Sequence, residues 1–137
     1  MTNVALGILL QVTLLGAGEN TYADAYKASQ ESGKPLVVLV GADWCPACAR
    51  MKSAVIPQLR KQGGLDQVEF AIVNTDRDRE LANKLMSGGS IPQIVLYRKT
   101  ADGWKRDQIT GGTSVEGLKG FLAQHADRPA AVVSRRD

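Results

Sequence analysis

The sequence predicts an α/β fold, with a central mixed β-sheet flanked by helices on both faces, and three observations lead there. Segments with helical spacing of apolar residues alternate with short apolar runs, the arrangement that makes parallel strands joined by helices across a sheet. The run at residues 36–40 (LVVLV) is continuous and rich in β-branched side chains, as in a strand buried on both faces. Late in the chain, two strand-like segments meet around Gly103 and add an antiparallel pair. At 137 residues the chain can bury one core but not two, which excludes a multidomain enzyme. Charged residues (23%) and hydrophobic residues (44%) are in ordinary proportion for a soluble globular protein. Lys and Arg (17) exceed Asp and Glu (14) by only 3, and they are scattered along the chain, so nucleic-acid binding has no support.

The elements follow in order. Thr21 caps a helix running through Ser32, with Tyr22, Ala25, Tyr26 and Ser29 on one face and Gly33 suited to its left-handed end. Lys34-Pro35 breaks the chain before the central strand at 36–40. From Pro46 to about Arg60, Ala47, Met51, Val55 and Leu59 recur at helical spacing. Pro46 is tolerated in the first turn, whereas Pro57 is expected to kink or end the helix. Gly63-Gly64 marks a loop and residues 68–73 a second buried strand. Residues 76–86 read as a helix whose Asp76 and Asp78 suit the N-terminal dipole, with Leu81, Ala82 and Leu85 toward the sheet. Residues 94–97 make a third strand, and 104–110 return as a more polar edge strand. Thr113 and Glu116 have the spacing of a capping box for a last helix carrying Val115, Leu118 and Leu122.

The chain divides into an N-terminal segment at 1–18, a domain at 19–126 and a tail at 127–137. The first segment has no charged side chain. Its apolar stretch at 4–15 (VALGILLQVTLL) is too short to span a membrane but has the length of a signal-peptide core, with Gly16, Ala17 and Gly18 where cleavage would fall. No Lys or Arg precedes it, and the alternative is an edge strand of the domain. The expectation is export to an extracytoplasmic space such as a periplasm, with cytoplasmic residence as the alternative. Residues 127–137 lose periodicity and read as a flexible tail.

Cys45 and Cys48 are the only cysteines and form one C-x-x-C. The central strand runs through Gly41-Ala42-Asp43-Trp44 directly into this pair, so Cys45 falls at a helix N-terminus. Unpaired backbone N–H groups and the positive dipole end there stabilise thiolate over thiol. Cys45 is therefore expected to be reactive and at least partly exposed. Cys48, about one turn on along the same face, is expected to be more buried and suits a resolving thiol. The other readings are half of a metal site or two inert core residues. Zinc would need further ligands, and the chain offers His125, its single histidine, and carboxylates. A lone C-x-x-C that follows a strand and opens a helix is the redox pattern, so no metal and no bound cofactor are expected.

The chain resembles the thioredoxin family from about Thr21 to Ala126. The residues that carry the resemblance are Ala42-Asp43-Trp44-Cys45-Pro46-Ala47-Cys48, Ser90-Ile91-Pro92 before the third strand, and Gly111-Gly112 before the last helix. The resemblance implies the thioredoxin fold, with Cys45 as nucleophile, Cys48 as resolving thiol, and Pro92 cis and facing the pair. An unpaired backbone edge at Ile91 would then let a substrate peptide add as a short strand. The expected substrate contacts are Trp44, Pro46, Ile91 and Pro92. Trp44 is expected to shield the disulfide, with a core position as the alternative.

Two departures from the family stand out. Its buried Asp, six residues before the first cysteine, is Leu39 here, and a Lys that often faces it falls on Ile72. No buried base is therefore evident for Cys48. The Pro-Ala dipeptide between the cysteines is neither the Gly-Pro of cytosolic thioredoxins nor the His-containing pair of strong oxidants. The resemblance thus implies an exported-type thiol–disulfide oxidoreductase, most simply a reductase of protein disulfides. It would act as a monomer on protein disulfides, recharged by a thiol donor. The alternatives are a redox-inactive peptide-binding module on the same fold and a zinc-binding protein.

Overall fold

Thr21 opens the first helix with extended backbone, its hydroxyl accepting from the Asp24 N–H at 3.2 Å, and Gly33 closes the helix at φ 74° with its N–H bonded to the Ser29 carbonyl. In this computed structural model, which describes residues 21–126, that helix is α1, Tyr22–Ser32. The segment at 1–18, with its export reading, and the tail at 127–137 lie outside the described residues. Ala25 and Ser29 are buried, but Tyr26 is 48% exposed. It stacks on Tyr22 at 6.1 Å, so the apolar face is narrower than the sequence suggests.

The chain continues as β1 (Leu36–Gly41), α2 (Pro46–Arg50), a π-helical turn (Met51–Val55), α3 (Ile56–Lys61) and β2 (Glu69–Asn74), then α4 (Arg79–Leu85), β3 (Gln93–Thr100), β4 (Gly103–Thr110) and α5 (Val115–His125). The alternation is the expected one, and it builds a mixed four-stranded sheet with helices packed on it. The sheet order is β2-β1-β3-β4. Strand β1 is buried along its whole length and pairs parallel with β2, which puts Leu39 opposite Ile72. Both β1–β3 and β3–β4 are antiparallel.

Strand β3 was expected to run parallel to β1 and does not. Helix α4 has only 7 residues, about 10 Å of rise, against about 20 Å for the 6 residues of β2. It does not return the chain to the start of β2, so β3 begins at the end where β2 stopped, with Gln93 beside Val40.

The strict alternation of a strand divides the core between the two faces. On one, Val37, Leu39, Ile94 and Leu96 pack with Met51, Val55, Leu59, Leu118 and Phe121. On the other, Leu36, Val38, Val40 and Val95 pack with Ala25, Ala82 and Leu85. A third, small cluster at the sheet's end holds Ala42, Cys45 and Cys48, with Ile91 packed against it.

Four local expectations need correction. Of the two outcomes expected at Pro57, a kink or an end, the end does not occur, since the helix continues to Lys61. The preceding turn widens to π geometry, with the Ile56 N–H reaching the Met51 carbonyl, and this accommodates the missing donor. Ala47 is exposed, although Met51, Val55 and Leu59 are buried as their spacing requires. Helix α4 starts at Arg79, not near Asp76, because the Asn74 side chain accepts from the N–H groups of Asp76 and Arg77 and holds them in a turn. Helix α5 is capped by Ser114, whose hydroxyl accepts from the Gly117 N–H at 3.0 Å, and not by Thr113.

Candidate functional site

The buried strand β1 delivers Gly41 to the sheet's end, and the turn through Asp43 and Trp44 brings the chain directly into α2. Cys45 is the N-cap of that helix, in extended backbone conformation, and Pro46 occupies its first turn. Cys45 and Cys48 form a disulfide with their Cα atoms 5.2 Å apart. The Cys48 backbone N–H donates to Cys45 Sγ at 3.2 Å. This donor, one of the orphan N–H groups of a helix N-terminus, singles out Cys45 as the sulfur that the helix end would stabilise as an anion.

The expected contrast in exposure is absent. Cys45 is 6% exposed and Cys48 5%. Both cysteines, joined by the disulfide, sit in the cluster with Ala42, and Ile91 packs against it. Trp44 is 70% exposed, which excludes the core alternative, and its indole N–H donates to Asp76 at 2.9 Å. Pro46 is exposed and Pro92 buried. The Ile91–Pro92 bond is cis. The Pro92 carbonyl accepts from the Gly111 N–H at 2.8 Å, and Ile91 packs against the cysteine cluster.

A polar network that the sequence analysis missed ties the Cys45 loop to the β2–α4 turn. Asp43 accepts from Asn74 at 3.2 Å and from Arg77 at 3.1 Å, beside the Trp44–Asp76 bond. Its two halves, residues 43–44 and 74–77, lie some thirty residues apart, and no local pattern joins one half to the other. The Asp43–Arg77 pair is largely exposed, so it is worth under about 1 kcal/mol. Its effect is on loop geometry.

Behind this network lies a cleft of about 520 Å³ lined by Leu39, Gly41, Cys48, Ile72, Lys52 and Asn74, among others. Leu39 and Ile72 thus form an apolar wall of the cleft that Cys48 also lines, in the places where the family resemblance points to polar groups. Gly41 is needed here because a Cβ would come within 2.8 Å of Cys48 Sγ and 2.9 Å of Cys48 Cβ. Gly41→Ala is expected to destabilise the oxidised protein by about 1–3 kcal/mol through overpacking. Urea unfolding of both redox forms would read this, and an unchanged oxidised midpoint would contradict the close approach. Among the described residues, no group of three or more His, Cys, Asp or Glu side chains could hold a metal ion. No helix among them is long and apolar enough to cross a membrane.

Known proteins place this geometry in context. Residues 22–126 match the family model of a thioredoxin-like domain. The solution structure of a thioredoxin from Thermus thermophilus superposes with a TM-score of 0.64 at 23% identity, over 76% of this chain and 82% of that one. The thioredoxin of Fasciola hepatica superposes with a TM-score of 0.59 at 27% identity, over 77% and 94%. Trxlp of Edwardsiella tarda gives 0.57 at 30% identity, over 76% and 95%. No curated protein matches by sequence.

Proposed function

The chain belongs to the thioredoxin-like domain family, and from that premise we propose that it reduces protein disulfides through Cys45 and Cys48. The family and the C-x-x-C disulfide together support thiol–disulfide oxidoreduction as the general activity. The finer reading rests on one observation, the Cys48 N–H aimed at Cys45 Sγ across a helix N-terminus.

In the reduced protein the Cys45 thiolate attacks one sulfur of a substrate disulfide. A mixed disulfide forms, and the other substrate sulfur leaves as a thiolate that takes up a proton. Cys48 then loses its proton and attacks Cys45 Sγ, which re-forms the Cys45–Cys48 bond and releases the second substrate thiol. Two electrons pass to the substrate, and a thiol donor restores the pair. Leu39 and Ile72, on the apolar wall of the cleft that Cys48 also lines, offer no base, so the Cys48 proton passes to solvent. Trp44, Pro46 and the Ile91–Pro92 edge form the docking surface, where a substrate peptide adds as a short strand.

Insulin reduction with dithiothreitol as donor tests the reading. The protein should accelerate precipitation of the insulin B chain, and the pair should have a reduction potential near about −270 mV. A potential near about −120 mV would make it an oxidant. Binding of insulin without reduction would favour the peptide-binding module. The uncharged segment at 1–18 is proposed to direct export. N-terminal sequencing of protein from its own host should find a terminus near Glu19, and an intact Met1 or Thr2 on cytosolic protein would refute this.

A further inference from the structure

Gln93 is the first residue of β3, directly after Pro92, and its side chain is fully buried at 0% exposure. A buried amide must find partners inside the protein, and all those found here lie in one short segment. Its oxygen accepts from the Ser87 N–H at 3.2 Å. Its nitrogen faces the carbonyls of Ser87 at 2.9 Å, Gly88 at 3.2 Å and Ser90 at 3.0 Å. Two amide hydrogens are thus shared among three acceptors.

The segment so held is exposed, lies outside helix and strand, and contains Gly88 at φ 80° and Gly89. Such a sequence has much conformational freedom to lose on ordering. It leads directly into Ile91, which packs against the cysteine cluster. From these contacts we infer that Gln93 is a positioning residue for substrate recognition: it holds residues 87–90 in place so that the Ile91 backbone edge is already set when a peptide disulfide arrives. The inference rests on the functional reading above and deepens it. Ordering the loop in the free protein removes that entropy cost from the binding step. Gln93 touches neither sulfur through these bonds, so the exchange chemistry itself is independent of it.

The test compares wild type with Gln93→Met, which keeps the volume but has no amide, and with Gln93→Asn, which keeps the amide one methylene too short. Each is assayed on insulin and on 5,5′-dithiobis(2-nitrobenzoate), a small disulfide that needs no peptide edge, and each reduction potential is measured against glutathione. Loss of about one net hydrogen bond's worth of preorganisation should raise KM for insulin about tenfold. The kcat, the rate with the small disulfide and the potential should stay within about twofold of wild type. A merely structural role would lower both activities in proportion, and that result, or an unchanged KM in both variants, overturns the inference. If Gln93→Met does not fold, Gln93→Asn decides alone. Wild-type protein that reduces neither disulfide would instead sink the functional reading, and the inference with it.

Discussion

Cys45→Ser is expected to abolish insulin reduction, bringing it to the rate of dithiothreitol alone, whereas Cys48→Ser should attack once and stay joined to its substrate. A serine hydroxyl supplies no thiolate at neutral pH, and the thiolate is the attacking species. With Cys48→Ser the nucleophile remains and only the resolving thiol is missing, so a mixed disulfide accumulates. Mass spectrometry of both variants after incubation with oxidised insulin separates the cases. In the disulfide form the two cysteines are about equally buried, so their exposure there does not predict which attacks first. The hydrogen bond from the Cys48 N–H does, and it favours Cys45. Covalent trapping by Cys45→Ser and not by Cys48→Ser would reverse the roles.

The cysteine pair, Pro92 and the order of the elements were readable in the sequence because each depends on neighbours in the chain. The LVVLV run fixes a buried strand, and the Gly33 and Thr21 ends of α1 are local chemistry. Contacts between distant segments were not readable. The reversal of β3 depends on how little of the return path α4 covers, and the start of α4 on a side chain, Asn74, that competes with the helix for backbone donors. Asp43 and Arg77 gain meaning only when two loops are brought together. Gln93 looks like any polar residue entering a strand, and only its complete burial shows that its amide serves the loop before it.

A second large effect is expected at Leu39. Leu39→Asp places a carboxyl at a buried position that lines the same cleft as Cys48, opposite Ile72. Burial raises the pKa of the introduced acid above its unfolded value of about 3.9. Folding then disfavours the charged form. The variant should be closest to wild-type stability below about pH 3.9 and lose stability as pH rises through the raised value, by several kcal/mol at neutral pH. Urea midpoints between pH 3 and 8 read this directly. A penalty independent of pH would mean that the acid escapes to solvent through the cleft. In the fraction that is ionised, the same carboxylate can take the Cys48 proton. Resolution of the mixed disulfide should therefore be faster near neutral pH than in wild type, where no introduced carboxylate helps remove the thiol proton. Stopped-flow decay of the mixed disulfide from pH 6 to 9 decides it, and identical profiles would show that position 39 plays no part in proton transfer.

The near-complete burial of both cysteines in the disulfide form also governs how the protein must move. A bulky thiol donor cannot reach Cys45, a residue 6% exposed in the disulfide form, unless the cover around it opens. The residues available to open are loop residues, 42–44 on one side and 87–91 on the other, while β1 behind them is fully buried and paired on both edges. Local openings at loops cost far less free energy than global unfolding. Amides of β1 should therefore be the last to exchange with deuterated solvent, and those around the cysteines among the first. Reactivity of the disulfide toward large thiol donors would then follow the excursions of these two loops, and mild denaturant well below the unfolding midpoint would leave the core strands protected while access to Cys45 persists.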